Sequence, residues 1–246
     1  MDFDKVDAFD NLEMTYISFR SRGYISRNKH IFNKMELTPL NKFVLESCVY
    51  GVPIFKIGNS GDNILILSGV HGNELPPQLA SLNLLNDLIN KKLNNTIYLI
   101  PFASPKSTMN NERTFNSSDL NRSAHIKNSL SNLFIQVIDE LKIKIVGDFH
   151  STAYNSNPGK ESVFSSQNPA SESVLIAKYI ADNVGSELIT YEFAGSSYKG
   201  AIEDVCNLKG IPAVTCEVLC PFASIGEGTV EKSLEQMKCF LHYSGF

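Results

Sequence analysis

The chain of 246 residues has no apolar run near the roughly 20 residues that a membrane helix needs. It has no excess of positive charge. Twenty-two Lys and Arg stand against 26 Asp and Glu, a net −4, which gives no electrostatic footprint for nucleic acid or anionic lipid. It has no Cys-x-x-Cys pair. Its five cysteines (Cys48, Cys206, Cys216, Cys220, Cys239) are odd in number, so reduced thiols in a cytoplasmic protein are the expectation. Cys216 and Cys220 could in principle serve as soft metal ligands, but Cys216 lies in an apolar run and a buried inert thiol is the simpler reading. The acidic start MDFDKVDAFD has no apolar stretch of the secretory kind. There is no G-x-S-x-G elbow for a serine hydrolase, no internal repeat, and no Pro-, Gly- or Ser-rich linker. Apolar residues make up 43% and charged residues 20%, which excludes a disordered chain and suits a full globular core.

Pattern sharpens after Leu40, so residues 1–40 are expected to be an N-terminal segment of uncertain role and 41–246 a single domain. Lys42–Tyr50 and Pro53–Ile57 read as a β-hairpin. NILILS at 63–68 reads as a strand covered on both faces. Leu75 to Lys92 is an amphipathic helix, with Leu79, Leu82, Leu85 and Ile89 at spacings of three and four and two prolines in its first turn. Thr96–Pro101 is the next strand, and residues 102–124 are a long unpatterned stretch of the kind that carries function. Helix is expected over 126–141, strand over 143–149 ending at His150, loop over 151–169, and helix over 171–184. Strand 187–191, a short helix 200–208, strand 212–218 and helix 229–243 complete the chain. This alternation is the signature of an α/β fold, a three-layer α/β/α sandwich with a mixed, largely parallel central sheet.

Three groups of reactive side chains follow or end apolar strands: His71 with Glu74, His150, and Glu217. In open α/β sheets, sites gather at the carboxyl ends of strands. Two imidazoles and one carboxylate can bind Zn²⁺ and leave a fourth position for water, whose pKa then falls toward neutrality. His71 and Glu74 are three apart at a strand-to-helix junction, where Gly72 is expected to permit a tight turn. A carboxylate in an apolar strand, as Glu217 is, is costly unless paired or functional. In NERTFNSSDLNR, Arg113 and Arg122 offer guanidinium forks suited to carboxylates and oxyanions. Asp119 is expected to order its own loop. Asp148 is expected to face the other side of the strand from His150, and as a carboxylate could support a ligand from behind. His30, His125 and His242 have no partner at ligand spacing.

SGVHGNE, the Arg-plus-DLNR block, DFHST and GIPAVTCEV occur in this order over residues 63–218. Together they resemble the zinc carboxypeptidase superfamily, most closely its succinylglutamate desuccinylase/aspartoacylase branch. The resemblance implies one Zn²⁺ held by His71, Glu74 and His150. It implies that Glu217 activates the attacking water and protonates the leaving nitrogen, and that Arg113 polarises the scissile carbonyl. Asn121 and Arg122 are similar to the pair that grips a free carboxylate. Tyr198 resembles the substrate-capping tyrosine, with Tyr191 as its competitor. The chain ends 29 residues past Glu217, so the added C-terminal β domain of aspartoacylases is expected to be absent, and VLCP stands where relatives carry a Gly-containing run.

The expectation is a zinc-dependent amidohydrolase cleaving an amide next to a free carboxylate, most simply an N-acyl amino acid deacylase. A metallocarboxypeptidase acting on small peptides, or a non-catalytic ligand-binding module on the same fold, are the rivals. The partner is then a small molecule or peptide, with neither nucleic acid nor membrane. The sequence is compatible with a homo-oligomer.

Overall fold

Apolar runs of five to eight residues, too short for stable helices and rich in Ile, Leu and Val, form the centre of the molecule. The computed structural model describes residues 1–245. In chain order the strands are β1 (Asp4–Lys5), β2 (Leu12–Ser18), β3 (Val52–Ile57), β4 (Asn63–Ser68), β5 (Thr96–Ile100), β6 (Ile145–Thr152), β7 (Ser162–Asn168), β8 (Glu187–Phe193) and β9 (Ala213–Leu219). The helices are α1 (Lys29–Phe32), α2 (Pro39–Tyr50), α3 (Leu75–Leu88), α4 (Pro105–Asn110), α5 (Leu130–Glu140), α6 (Glu172–Val184), α7 (Ile202–Leu208) and α8 (Thr229–Tyr243). No described helix is long and apolar enough to cross a membrane.

All these strands form one sheet in the order β1-β2-β3-β5-β4-β6-β9-β7-β8. Its centre, β5-β4-β6-β9, is parallel, and antiparallel pairing begins at β3 on one side and β7 on the other. Strand periodicity sorts side chains to two cores. Ile64 and Ile66 pack with α2, α3, α6 and α8, whereas Leu65 and Leu67 pack with α5 and α7. This is the expected three-layer α/β/α sandwich with a mixed, largely parallel sheet.

Two expectations are corrected. Residues 42–50 do not pair as a strand but lie within α2. Thr38 caps that helix by accepting from the Asn41 amide at 3.1 Å, and Pro39 occupies its first turn. Leu40, Val44 and Cys48, four apart, form its buried stripe. The β-branched and aromatic residues in FVLESCVY mask this helical period. The expected loop 151–169 contains the end of β6 and all of β7. Ser162, Ser165 and Ser166 are buried in β7, so its hydrophobic alternation is replaced by small polar residues. Residues 1–40 supply β1 and β2, with β2 antiparallel to β3.

Because β4, β6 and β9 run parallel, their carboxyl ends share one edge of the sheet, and register sets His150 opposite Glu217. Phe149, next in chain to His150, packs its ring edge-on against Phe240 of α8, centroids 6.1 Å apart, and both are buried. Phe240→Ala should lower stability by about 3–5 kcal/mol, read as a reduced urea midpoint with an unchanged slope.

Candidate metal centre and its cavity

At the end of β4, Gly69 (φ +74°) turns the chain under Phe102, whose Cα would sit 3.1 Å from an added Cβ. Gly72 has a different reason from the tight turn expected of it. An added Cβ would fall 2.1 Å from the Ser107 carbonyl carbon, so only glycine lets the α4 backbone pass so close. The following residue pair brings Glu74 to the position before α3. Gln78 anchors it there, donating to the Glu74 carbonyl at 2.7 Å while accepting from the Thr108 hydroxyl at 2.7 Å.

Glu74 is 3% exposed, and four donors surround its carboxylate. Its Oε1 takes His71 Nδ1 at 2.9 Å and Arg113 Nη1 at 3.1 Å; its Oε2 takes His150 Nδ1 at 2.7 Å and the Ser151 amide at 3.1 Å. The far nitrogen of each imidazole faces a carboxylate. His71 Nε2 is 2.9 Å from Asp119 Oδ1, and His150 Nε2 is 3.0 Å from Asp148 Oδ1, the latter too poorly aligned for a good hydrogen bond. Asp148 therefore shares a face with His150, correcting the expectation. Residues two apart in a strand point the same way. His150 also lies inside β6 rather than at its end.

Burial opposes charge on both members of this set, and electrostatics outweighs it. Desolvation works to raise the Glu74 carboxyl, yet the imidazoles of His71 and His150 hold it well below the usual range. Desolvation works to lower His150, yet Asp148 and Glu74 push the imidazole well above its ordinary value. Asp119 is likewise held low against burial by His71 and Arg113, whose Nη2 lies 3.2 Å from its Oδ2. Glu217 moves the other way. Burial first, then the negative charge of Glu74, pushes its carboxyl well above the usual range, and its Oε2 has no hydrogen-bond partner.

Donor atoms of His71, Glu74 and His150 all lie within 4.8 Å of one another, and this is a group that could hold a metal ion. The residues fit one. Both Nδ1 atoms turn inward onto a buried carboxylate, each Nε2 is backed by a second carboxylate as metal-bound histidines usually are, and the excess of buried negative groups calls for positive charge.

A cavity of ≈ 250 Å³ opens beside this cluster. Its lining brings together His71, Glu74, Arg113, Asn121, Arg122, Tyr198 and Glu217, while His150 is buried behind Glu74. Asp119 caps the 3-10 turn Leu120–Arg122 by accepting from the Asn121 amide at 2.9 Å, as its loop role required, but it also holds His71 and Arg113. Asn121 Oδ1 accepts from the Ile202 amide at 3.3 Å, which leaves its Nδ2 as a donor. The Arg122 guanidinium lies 5.4 Å over the Tyr198 ring. Tyr198 stacks on Phe164 at 4.9 Å and donates to Asn157 Oδ1 at 3.0 Å; Tyr191 meets its ring edge-on at 5.8 Å but does not line the cavity. Phe164, Phe222, Asn157 and the Ser151 amide were missed from sequence. The short spacing to DFH could have drawn attention to Ser151, whereas nothing local marks the others. A larger cavity of ≈ 410 Å³ between α3 and the start of α8 contains no imidazole.

The fold and this cluster define an α/β/α sandwich with a candidate metal centre at the carboxyl edge of its sheet. Solved structures share the fold. A succinylglutamate desuccinylase/aspartoacylase from Rhodobacter sphaeroides superposes with TM-score 0.61 at 16% identity, over 79% of this chain and 59% of its own. A product-bound ectoine utilization protein from Ruegeria pomeroyi gives 0.64 at 15%, over 80% and 63%, and carboxypeptidase A from Helicoverpa armigera gives 0.59 at 14%, over 78% and 64%. This chain thus spans about three fifths of the length of these proteins. No curated protein sequence matches it significantly. A family profile, the succinylglutamate desuccinylase/aspartoacylase catalytic domain, matches residues 60–192, more than half of the chain. The chain belongs to that family.

Gly72→Ala should force the α3 and α4 backbones apart and lower stability by roughly 1–3 kcal/mol. A falling thermal midpoint, with the far-UV spectrum kept, is the expected readout.

Proposed function

We propose that the protein is a zinc-dependent amidohydrolase that removes the acyl group from a small N-acyl amino acid. The observation that carries this reading is the convergence of His71 Nδ1 and His150 Nδ1 on the buried Glu74 carboxylate, beside a cavity that also holds Arg113 and Glu217. Two imidazoles and a carboxylate form a donor set suited to Zn²⁺. When bound, such an ion would polarise the scissile carbonyl and make an attacking water acidic near neutral pH.

The chain's own groups have matching tasks. Asn121 Nδ2 and the Arg122 guanidinium take the substrate carboxylate, fixing the amide relative to the cluster. Tyr198, beside Arg122, covers that end. Arg113 donates to the carbonyl oxygen as negative charge develops on it, held in place by Asp119. Glu217 accepts a proton from the attacking water and returns it to the departing nitrogen. Burial and the Glu74 charge raise its pKa, a direction that suits a carboxyl which must give a proton as well as take one. Asp119 orients the His71 imidazole through its far nitrogen, and Asp148 lies as a charge partner beside the far nitrogen of His150.

We favour deacylation over peptide trimming because a cavity of ≈ 250 Å³ lies just below the usual range for ligand sites. A non-catalytic binding module would need neither Arg113 nor Glu217 in the cavity. The five cysteines are all free, which supports placing the protein in a reducing compartment, the cytoplasm.

In zinc-loaded protein, Glu217→Gln should retain the metal while turnover falls by about 10²–10⁴. Arg113→Ala should cost about 10²–10³ in kcat. Metal content by elemental analysis beside steady-state rates checks both; unchanged rates in either variant would remove that residue from the mechanism.

A further inference from the structure

The proposed deacylase reading leaves open which amino acid is released, and the cavity wall bears on it. Charge is the first constraint. Among the described residues lining the cavity, the cations other than the imidazole of His71 are Arg113 and Arg122, and no lysine lines it. Arg113 is bound to two carboxylates, Glu74 and Asp119, and even with Glu74 turned to a metal it keeps Asp119. Among the described residues Arg122 pairs with no carboxylate; its Nη1 donates to the Asn121 carbonyl and its guanidinium lies over the Tyr198 ring. The cavity therefore has one uncommitted guanidinium, enough for one carboxylate. With the proposed cation committed to His71, Glu74, His150 and the reacting groups, a second carboxylate would face Glu217 with no further cation on the wall, and a partly desolvated unpaired charge is strongly disfavoured.

Neutral donors do not fill that gap. The Thr152 hydroxyl is engaged by the Ser156 hydroxyl at 2.8 Å and by the Gly159 amide at 3.0 Å, and Ser156 also closes onto Ala153. The Tyr198 hydroxyl is given to Asn157. Ser151 Oγ has no partner but is itself buried, and the Asn157 amide, whose Oδ1 takes the Tyr198 hydroxyl, leaves a neutral donor that brings no charge.

Shape is the second constraint. The ring beside Arg122 is Tyr198, and behind it stacks Phe164, itself 4% exposed. Phe222 lines the same cavity from the segment after β9. It is held in place by its neighbour Ala223, which sits at φ +62° with its amide on the Asn73 carbonyl at 2.7 Å. A non-glycine residue in that region is strained and persists where its surroundings over-determine it. The group attached next to the gripped carboxylate therefore meets aromatic carbon.

We infer that the substrate is an N-acyl amino acid with a single carboxylate and an apolar, preferably aromatic, side chain, and that Phe164, Tyr198 and Phe222 select it. Acyl derivatives of acidic amino acids are excluded by the missing second cation. This rests on the deacylase reading, and the test separates the two.

Binding is measured by calorimetry on the full zinc-loaded chain carrying Glu217→Gln, with N-acetyl-L-phenylalanine and N-acetyl-L-aspartate as probes. Glu217→Gln leaves no carboxylate at that position to repel the aspartate probe, so the comparison is biased against the inference. The phenylalanine derivative should bind at least about tenfold more tightly, in the range that apolar pocket contacts supply. Adding Phe222→Ala should weaken it by about tenfold. Equal or tighter binding of the aspartate derivative, or binding of neither, would overturn the inference. Wild-type turnover of both probes is run alongside. Binding of acetylphenylalanine without hydrolysis leaves the selectivity standing and contradicts the deacylase reading. Hydrolysis of acetylaspartate with equal or higher kcat/KM leaves deacylation standing and contradicts the selectivity.

Discussion

A single buried carboxylate organises the molecule's reactive end. Glu74 has almost no access to water, and an isolated carboxylate there would be prohibitively costly. Its two oxygens resolve this by drawing in two imidazoles, a guanidinium and a backbone amide. Those four partners come from three places: the β4–α3 junction, the loop before Leu120, and β6. Holding one anion therefore fixes three segments relative to each other. The same donors that satisfy it face the position where a cation would sit.

That arrangement depends on the parallel centre of the sheet. Because β4, β6 and β9 all run the same way, residues at their carboxyl ends meet without long connections. Register then sets Glu217 beside His150. The helices on both faces keep the strands dry, so the reactive side chains lie at the one edge where loops give access. Low dielectric strengthens each pairing and also raises the cost of losing a partner. This is why Asp119 and Asp148, which touch no cavity chemistry directly, belong to the same unit as His71 and His150.

Much of this was legible in sequence because the informative signals were local. NILILS and TIYLI are short, apolar and bounded by turns, and they are strands. The helix after Glu74 shows its spacing and its prolines. His71, Glu74, His150 and Glu217 each follow or lie in such a strand, so their common edge followed from the alternation of elements. Illegible features were those whose cause is remote. FVLESCVY looks like a strand because its helical stripe, Leu40, Val44 and Cys48, is visible only once the capping Thr38 and the opposing core are known. β7 hides because serines occupy its buried positions. Gly72 owes its identity to a backbone pass from residues 107 and 108, which no local pattern announces. Phe164 and Phe222 reach the cavity from segments with no motif, so the aromatic lining is the least readable part. Asp148 needed only a correct count along the strand.

In the proposed centre, His71, Glu74 and His150 hold one divalent cation through two imidazole nitrogens and a carboxylate. Zinc K-edge X-ray absorption on stoichiometrically loaded protein tests it most directly. The account predicts a first shell of nitrogen and oxygen only, with the multiple-scattering pattern of two imidazoles at about 2.0–2.1 Å. A sulfur shell at about 2.3 Å, a single imidazole, or zinc that washes off as the hydrated ion would contradict it.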